Sequence, residues 1–310
     1  MSTSTQSHIQ SSVIDLKSAN SNEIYSLFET AFKLKKDFQS HSIKAQPVKG
    51  LAALLFFEPS TRTRFSFESG CVRAGVHPLI LSGAAGTSLE KDETLEDTIL
   101  NIEAMKPLFF VIRAPDSLNM REILQEMNTP IINAGWGVQG HPTQALLDGA
   151  TLFEKFGALE NKKVLFVGDV KHSRVVSSHL ELARVLKYKI AYACPQNFLP
   201  QKKSEDVTCF ENLDEGLKWA DAVVALRVQK ERHQGTTFSV DDYRKNYGLN
   251  THSLEVFKKD GLLLHPGPIN YGVELEKEVL KDSRSVILKL VENGTFVREA
   301  LIHQILRRLS

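Results

Sequence analysis

At 310 residues, 42% apolar and 24% charged, the chain has the composition of an ordinary globular protein and room for two domains of about 150 residues each. A formal net charge of +1 gives no general pull toward nucleic acid or a membrane, so any anion site must be local, and three cysteines (Cys71, Cys194, Cys209) without metal-ligand spacing predict reduced, mostly buried thiols. Met1 to Gln10 lacks the basic flank and apolar stretch of a signal peptide, no apolar run approaches the ~18 residues of a membrane helix, and a cytoplasmic protein is expected.

Glu23 to Phe38 predicts a first helix, with Ile24, Leu27, Phe28, Ala31 and Phe32 on one face and Ser21 or Asn22 as cap. Leu51 to Phe57 is a strand stopped by Pro59, and Arg62 to Ala74 a helix ended by Gly75. The alternation continues with a strand at His77 to Leu81 and a helix stripe of Leu95, Ile99, Ile102 and Met105. Next come a strand at Leu108 to Ile112, a helix at Leu118 to Met127, a strand at Pro130 to Asn133 and a helix from about Pro142 to Phe156. The pattern then restarts: strand Lys163 to Val167, helix Arg174 to Leu186, strand Lys189 to Ala193, helix Leu213 to Ala220, strand Ala222 to Leu226. A short strand at Leu262 to Leu264 precedes a final helical stretch, Val286 to Leu309, on both sides of Gly294.

Strands alternating with helices, twice over, predict an α/β protein of two doubly wound domains. Each is a mostly parallel sheet flanked by helices, and the helix around Ala145 to Phe156 bridges them. The expected boundaries are 1–145 and 146–291, with the C-terminal helix, about 292–310, packing back on the first domain. In such sheets ligands bind beyond the carboxyl ends of the strands, so the polar residues after each strand matter most.

Four groups stand there. Ser60-Thr61-Arg62-Thr63-Arg64 lies between a strand and a helix; unpaired N–H groups, three hydroxyls and guanidinium forks suit a phosphate, and a Ser/Thr-capped helix with exposed arginines suits the residues equally well. Arg113 ends a buried strand and needs either an anion or a carboxylate partner. His141-Pro142-Thr143-Gln144 opens a helix, with His141 and Gln144 three apart and able to face one ligand or to serve structure alone. In the second half, Gly168 to Arg174, Arg227 to Arg232 and His265-Pro266-Gly267-Pro268 each follow a strand. Two arginines at separate strand ends suit a small dicarboxylate, while Lys230, Glu231 and Arg232 are taken as solvated charge.

Together these segments resemble the aspartate carbamoyltransferase family over nearly the whole chain. The resemblance rests on Ser60 to Arg64 followed by Phe65-Ser66-Phe67-Glu68, on His141-Pro142-Thr143-Gln144, and, for the aspartate-specific branch, on Arg227-Val228-Gln229-Lys230-Glu231-Arg232 and His265-Pro266-Gly267-Pro268. The His-Cys-Leu-Pro loop and Ser-Met-Gly segment of ornithine enzymes are absent. The resemblance implies that Ser60, Thr61, Arg62 and Thr63 hold the phosphate of carbamoyl phosphate and that Arg113 bridges phosphate and carbonyl oxygen. His141 would donate to that oxygen, Gln144 would position the carbamoyl NH2, and the carbonyls of Pro266 and Gly267 would help orient the substrates, with Pro268 holding the loop in shape. Arg174 would bind the α-carboxylate of L-aspartate, Arg227 and Gln229 its side-chain carboxylate, and Ser88 and Lys91 would enter a neighbouring subunit's site. Implied with them are a homotrimer with shared sites and an early step of pyrimidine biosynthesis, with no metal or cofactor. Regulatory chains or a dihydroorotase-like partner are compatible additions. The sequence departs from the family at Asp92, where glycine is common, at Trp136, and at Tyr271, where arginine is common. An ornithine carbamoyltransferase is the nearest alternative. A nicotinamide-dependent dehydrogenase is disfavoured because Phe166-Val167-Gly168-Asp169 lacks the glycine-rich phosphate run. A silent anion-binding subunit is disfavoured by the joint presence of Arg62, Arg113, His141 and Arg227.

Overall fold

The computed structural model describes residues 11–40, 47–201, 205–228 and 239–309. The chain divides into two compact units, one made of residues 1–150 with 291–310, the other of residues 151–290.

In the first unit, helix α1 (Ser21–Gln39) is capped by Asn20, whose side chain accepts from the Glu23 N–H. The expected caps, Ser21 and Asn22, lie inside the helix, because Asn20 is the residue still in extended backbone. Strand β1 (Gly50–Phe56) leads into α2 (Arg62–Ala74), which stops where Gly75 turns left-handed at φ 76°. There follow β2 (Val76–Ser82), α3 (Leu95–Glu103), β3 (Phe109–Ala114), α4 (Met120–Glu126), β4 (Ile131–Trp136) and α5 (Pro142–Phe156). The four strands are all parallel, in the order β2-β1-β3-β4. Alternation along β1 and β3 divides their side chains between two cores. Ala53, Leu55, Phe110 and Ile112 pack with Ile99, Ile123 and Leu124 on one face. Ala52, Leu54, Phe56, Phe109 and Val111 pack with Phe67 and Cys71 of α2 on the other. Ile302 and Ile305 of the last helix, α10 (Ile287–Leu309), join that second core.

In the second unit, β5 (Lys163–Val167), α6 (Arg174–Leu186), β6 (Lys189–Ala193), β7 (Thr208–Phe210), α7 (Leu213–Trp219) and β8 (Ala222–Ala225) come first. After them stand α8 (Val240–Tyr247), α9 (Thr251–Val256) and β9 (Leu262–Leu264). Its sheet is also all parallel, ordered β7-β6-β5-β8-β9. A core of Leu165, Val167, Ala191, Ala193, Val223, Ala225 and Leu263 packs against Leu213, Leu217 and Phe257.

Three elements here were not foreseen: β7, α8 and α9. Strand β7 is three residues long and only half-buried, and α8 buries Tyr243 alone, so neither carries an apolar pattern. In β3 the strand runs through Arg113 to Ala114 rather than stopping at Ile112, so Arg113 sits inside the strand's last turn of the pleat. Among the described residues all three cysteines are free, Cys71 and Cys194 buried and Cys209 half-buried. No helix among them is long and apolar enough to cross a membrane.

Candidate active site

The first candidate site is built at the carboxyl ends of β1, β3 and β4. Backbone register places Phe56 beside Arg113, and the Phe57 N–H donates to the Arg113 carbonyl at 2.9 Å, so the two strand ends are fixed side by side. From there Arg113 Nη1 donates to Ser60 Oγ at 3.4 Å, and its Nε lies 3.4 Å from Glu58 Oε2. Thr61 occupies the cap position of α2, yet its side chain makes no capping hydrogen bond, and the first turn holds no acidic residue. The Thr61 side-chain cap is therefore not what forms, and no carboxylate stands in the first turn at the positive end of α2.

Positive charge is concentrated behind this end. Burial pulls the Arg62 guanidinium below its ordinary range. Arg298, reaching in from α10, is 3% exposed and is pushed down to about 9, first by burial and then by Arg113 and Arg62, with Asp148 acting the other way. Its Nη1 donates to Ser66 Oγ at 2.7 Å, and Ser66 Oγ donates to the Thr63 carbonyl at 2.8 Å. Arg298 thus stands near Arg62, Arg113 and the fully buried carboxylate of Asp148, while Glu58 lies beside Arg113. Such a surplus of cation in low dielectric favours an incoming anion.

His141 and Gln144 stand at the start of α5, which follows β4, and both are buried. The Thr143 hydroxyl lies 3.4 Å from His141 Nδ1. Gln144 Nε2 donates to Asp148 Oδ1 at 3.0 Å. A carboxylate only accepts, so the amide nitrogen must face Asp148, and the carbonyl oxygen is the acceptor that Gln144 has left.

Ser88 and Lys91 lie on an exposed 3-10 turn (Ser88–Lys91) beyond edge strand β2, capped by Thr87. Among the described residues neither is hydrogen-bonded to Ser60–Thr63, Arg113 or His141, and Lys91 forms no ion pair. Asp92 ends the turn left-handed at φ 64°, a conformation glycine adopts more cheaply and aspartate tolerates. Trp136 is buried in the core beneath α4, with Arg121 over its ring at 5.3 Å, so that departure is a packing choice. Tyr271 is half exposed, with Lys277 5.7 Å from its ring centre.

The second candidate site lies at the carboxyl ends of β5, β8 and β9, which are neighbours in the second sheet. A Cβ on Gly168 would stand 2.8 Å from the Leu226 carbonyl oxygen, so only glycine lets the ends of β5 and β8 approach this closely. Asp169, fully buried, accepts from His172 Nδ1 at 2.8 Å, and Arg174 is the first residue of α6. Ser173 makes no side-chain cap bond, so this helix start is also open. Arg227 is half-buried, two residues beyond β8. Pro266, Gly267 and Pro268 follow β9, with Pro268 exposed and the Gly267–Pro268 peptide cis. Gln229, Lys230, Glu231 and Arg232 lie outside the described residues. Among the described residues no group of three His, Cys, Asp or Glu side chains is arranged to hold a metal ion.

Sequence reasoning gave no part to Asp148, Ser66 or Arg298. Asp148 was within reach, four residues from Gln144 and so on the same helix face. Arg298 was not, because 232 residues separate it from Ser66.

Two parallel α/β units, each presenting arginines and open helix starts at its strand ends, define an enzyme that handles small anions. Two family models match: the aspartate/ornithine carbamoyltransferase carbamoyl-P binding domain over residues 11–154, and the Asp/Orn binding domain over residues 160–305. The aspartate carbamoyltransferase catalytic subunit of Chlorobaculum parvum is 42% identical over 264 residues, 83% of this chain and 85% of its own. That of Thermus thermophilus is 39% identical over 296 residues, 95% of this chain and 97% of its own. Among solved structures, aspartate transcarbamoylase from Trypanosoma cruzi with carbamoyl aspartate and phosphate gives a TM-score of 0.82 at 25% identity, covering 94% of each chain. Ornithine carbamoyltransferase from Thermus thermophilus also gives 0.82 at 25%, covering 96% of this chain and 99% of that one. The chain belongs to the aspartate/ornithine carbamoyltransferase family.

Proposed function

We propose that the chain transfers the carbamoyl group of carbamoyl phosphate to the amine of L-aspartate, giving N-carbamoyl-L-aspartate and phosphate, an early step of de novo pyrimidine biosynthesis. The observation that carries this is identity of about 40% to aspartate carbamoyltransferase catalytic subunits along almost the full length. The residues 1–145 with about 292–310 serve the donor, and residues 146–291 serve the acceptor. In the donor half, Ser60, Thr61, Arg62 and Thr63 take the phosphate, a role supported by the open start of α2. Arg113, tied to Ser60, bridges phosphate and carbonyl oxygen. The neutral amine attacks the carbonyl carbon; the oxyanion that forms is met by Thr63, Arg113 and His141, and collapse expels phosphate. Gln144 accepts from the carbamoyl NH2 through the oxygen that Asp148 leaves to it. In the acceptor half, Arg174 takes the α-carboxylate and Arg227, with Gln229, the side-chain carboxylate. Carbonyls of Pro266 and Gly267 orient the substrates, with Pro268 shaping the loop.

Ser88 and Lys91 complete the site of a neighbouring copy in a homotrimer. Supporting this are their exposed turn and the exposed apolar side chains Phe65 and Val72 on α2 and Ile80 on the edge strand β2. The enzyme is expected in the cytoplasm. Product formation measured side by side with L-aspartate and L-ornithine tests the assignment: turnover of aspartate alone is expected, and preference for ornithine would overturn the acceptor.

A further inference from the structure

One buried polar pair stands outside the chemistry above. His265 is 2% exposed and Glu274 is 1% exposed, both in the second unit. His265 Nδ1 accepts from the Gly267 N–H at 2.8 Å, which puts the ring proton on Nε2, and Nε2 lies 3.5 Å from Glu274 Oε1. The same carboxylate oxygen accepts from the Asn270 N–H at 2.6 Å. Asn270 Nδ2 then donates to the Val228 carbonyl at 3.1 Å, beside Arg227. The other oxygen, Glu274 Oε2, is sealed from solvent and makes no hydrogen bond. Tyr243, fully buried, has its phenol held well above the usual range by burial first and by Glu274 next. Keeping a carboxylate in such surroundings is costly, and an apolar pair would pack as well. The arrangement therefore asks for a purpose other than packing.

We propose that His265 and Glu274 form a positioning clamp for the acceptor half, resting on the functional reading above. Glu274 holds the far end of the 265–270 loop through the Asn270 N–H, and His265, whose Nε2 lies 3.5 Å from Glu274 without a hydrogen bond, holds the near end through the Gly267 N–H. His265 sets the plane of the peptide between Pro266 and Gly267, and so the direction of the Pro266 carbonyl. Asn270 passes the same constraint to Val228 and hence to the segment carrying Arg227. Neither residue touches substrate; each acts through the groups it holds.

The two ring nitrogens can be tested separately. In His265→Asn the amide oxygen replaces Nδ1 and keeps an acceptor for the Gly267 N–H; in His265→Gln the amide group reaches toward Nε2 and loses it. Steady-state kinetics with each substrate, thermal melting, and amide exchange at Gly267 and Asn270 are measured on the full chain. His265→Gln and Glu274→Ala are expected to lower kcat/KM for aspartate by ~10²-fold, the cost of an ångström-scale misplacement. His265→Asn and Glu274→Gln, which keep the acceptors, are expected to recover most of that loss. Amide exchange should quicken at Asn270 in Glu274→Ala and at Gly267 in His265→Gln. Equal kinetics for the Asn and Gln variants of His265, or losses that follow only the folded fraction, would overturn the clamp while leaving the assigned reaction intact. A parent chain without carbamoyl transfer to aspartate would overturn the functional reading itself, and the clamp's catalytic purpose with it.

Discussion

Arg62 and Arg227 divide the labour of the proposed reaction between two sets of strand ends, and their loss should differ in kind. Arg62→Ala removes a cation at the start of α2 and is expected to lower turnover by ~10²–10³-fold, as loss of a transition-state donor does. Arg227→Ala should instead raise the KM for aspartate by at least ~10-fold while leaving carbamoyl phosphate affinity within a factor of a few. Equilibrium binding of carbamoyl phosphate to each variant separates them; loss of donor binding in Arg227→Ala would refute the division. The residues at strand ends were legible because strand, turn and helix follow one another within a few positions, as at Phe57 to Arg64. What stayed illegible were the supports. Arg298 reaches Ser66 across 232 residues, and Glu274 serves a loop whose sequence suggests only rigid prolines.

At the scale of elements, strong patterns translated directly and weak ones did not. Lys163–Val167, Lys189–Ala193, Arg62–Ala74 and Arg174–Leu186 were readable to the residue, since each is bounded by a cap, glycine or polar break and buries a continuous face. Helix α9, six residues with only Ser253 buried, is held at its start by a capping box between Asn250 and Ser253 and at its end by tertiary bonds. Arg284 Nη1 donates to the carbonyls of Leu254, Phe257 and Lys258, satisfying acceptors that a helix end leaves over. Asp282 orients that guanidinium with two side-chain bonds of 2.8 Å, and these hydrogen bonds, ahead of any other cause, hold its carboxyl down at about 2. A depressed carboxyl stabilises the fold above the unfolded-state value and loses that contribution as pH falls toward the folded one. Asp282→Asn should therefore be less stable than the parent at pH 5, with the gap narrowing by pH 3. Urea midpoints at the two pH values measure it, and a gap independent of pH would mean that the charge is not its source.

At the scale of the whole molecule, the proposed trimer predicts complementation. Chains carrying Arg62→Ala lack a phosphate ligand, whereas those carrying Lys91→Ala lack the residue lent to a neighbour. Dissociated, mixed and reassembled, the two inactive proteins should recover a fraction of parental activity, because some sites then combine one intact donor side with an intact Lys91. Activity that stays at the level of the separate variants would count against shared sites.

The first unit is also discontinuous: Ile302 and Ile305 close the core over β1 and β3, and Arg298 reaches the Thr63 carbonyl through Ser66. A ribosome therefore delivers residues 151–290 complete before it delivers what the first-made sheet needs. The half begun first is finished last, and its β1–β3 face must wait uncovered while the other half can already fold. A chain halted after residue 290 should keep the Leu165–Leu263 core resistant to protease and yet bind no carbamoyl phosphate. Donor-site competence would then arrive only once residues 291–309 have been made, so that translation itself withholds catalysis until α10 is in place.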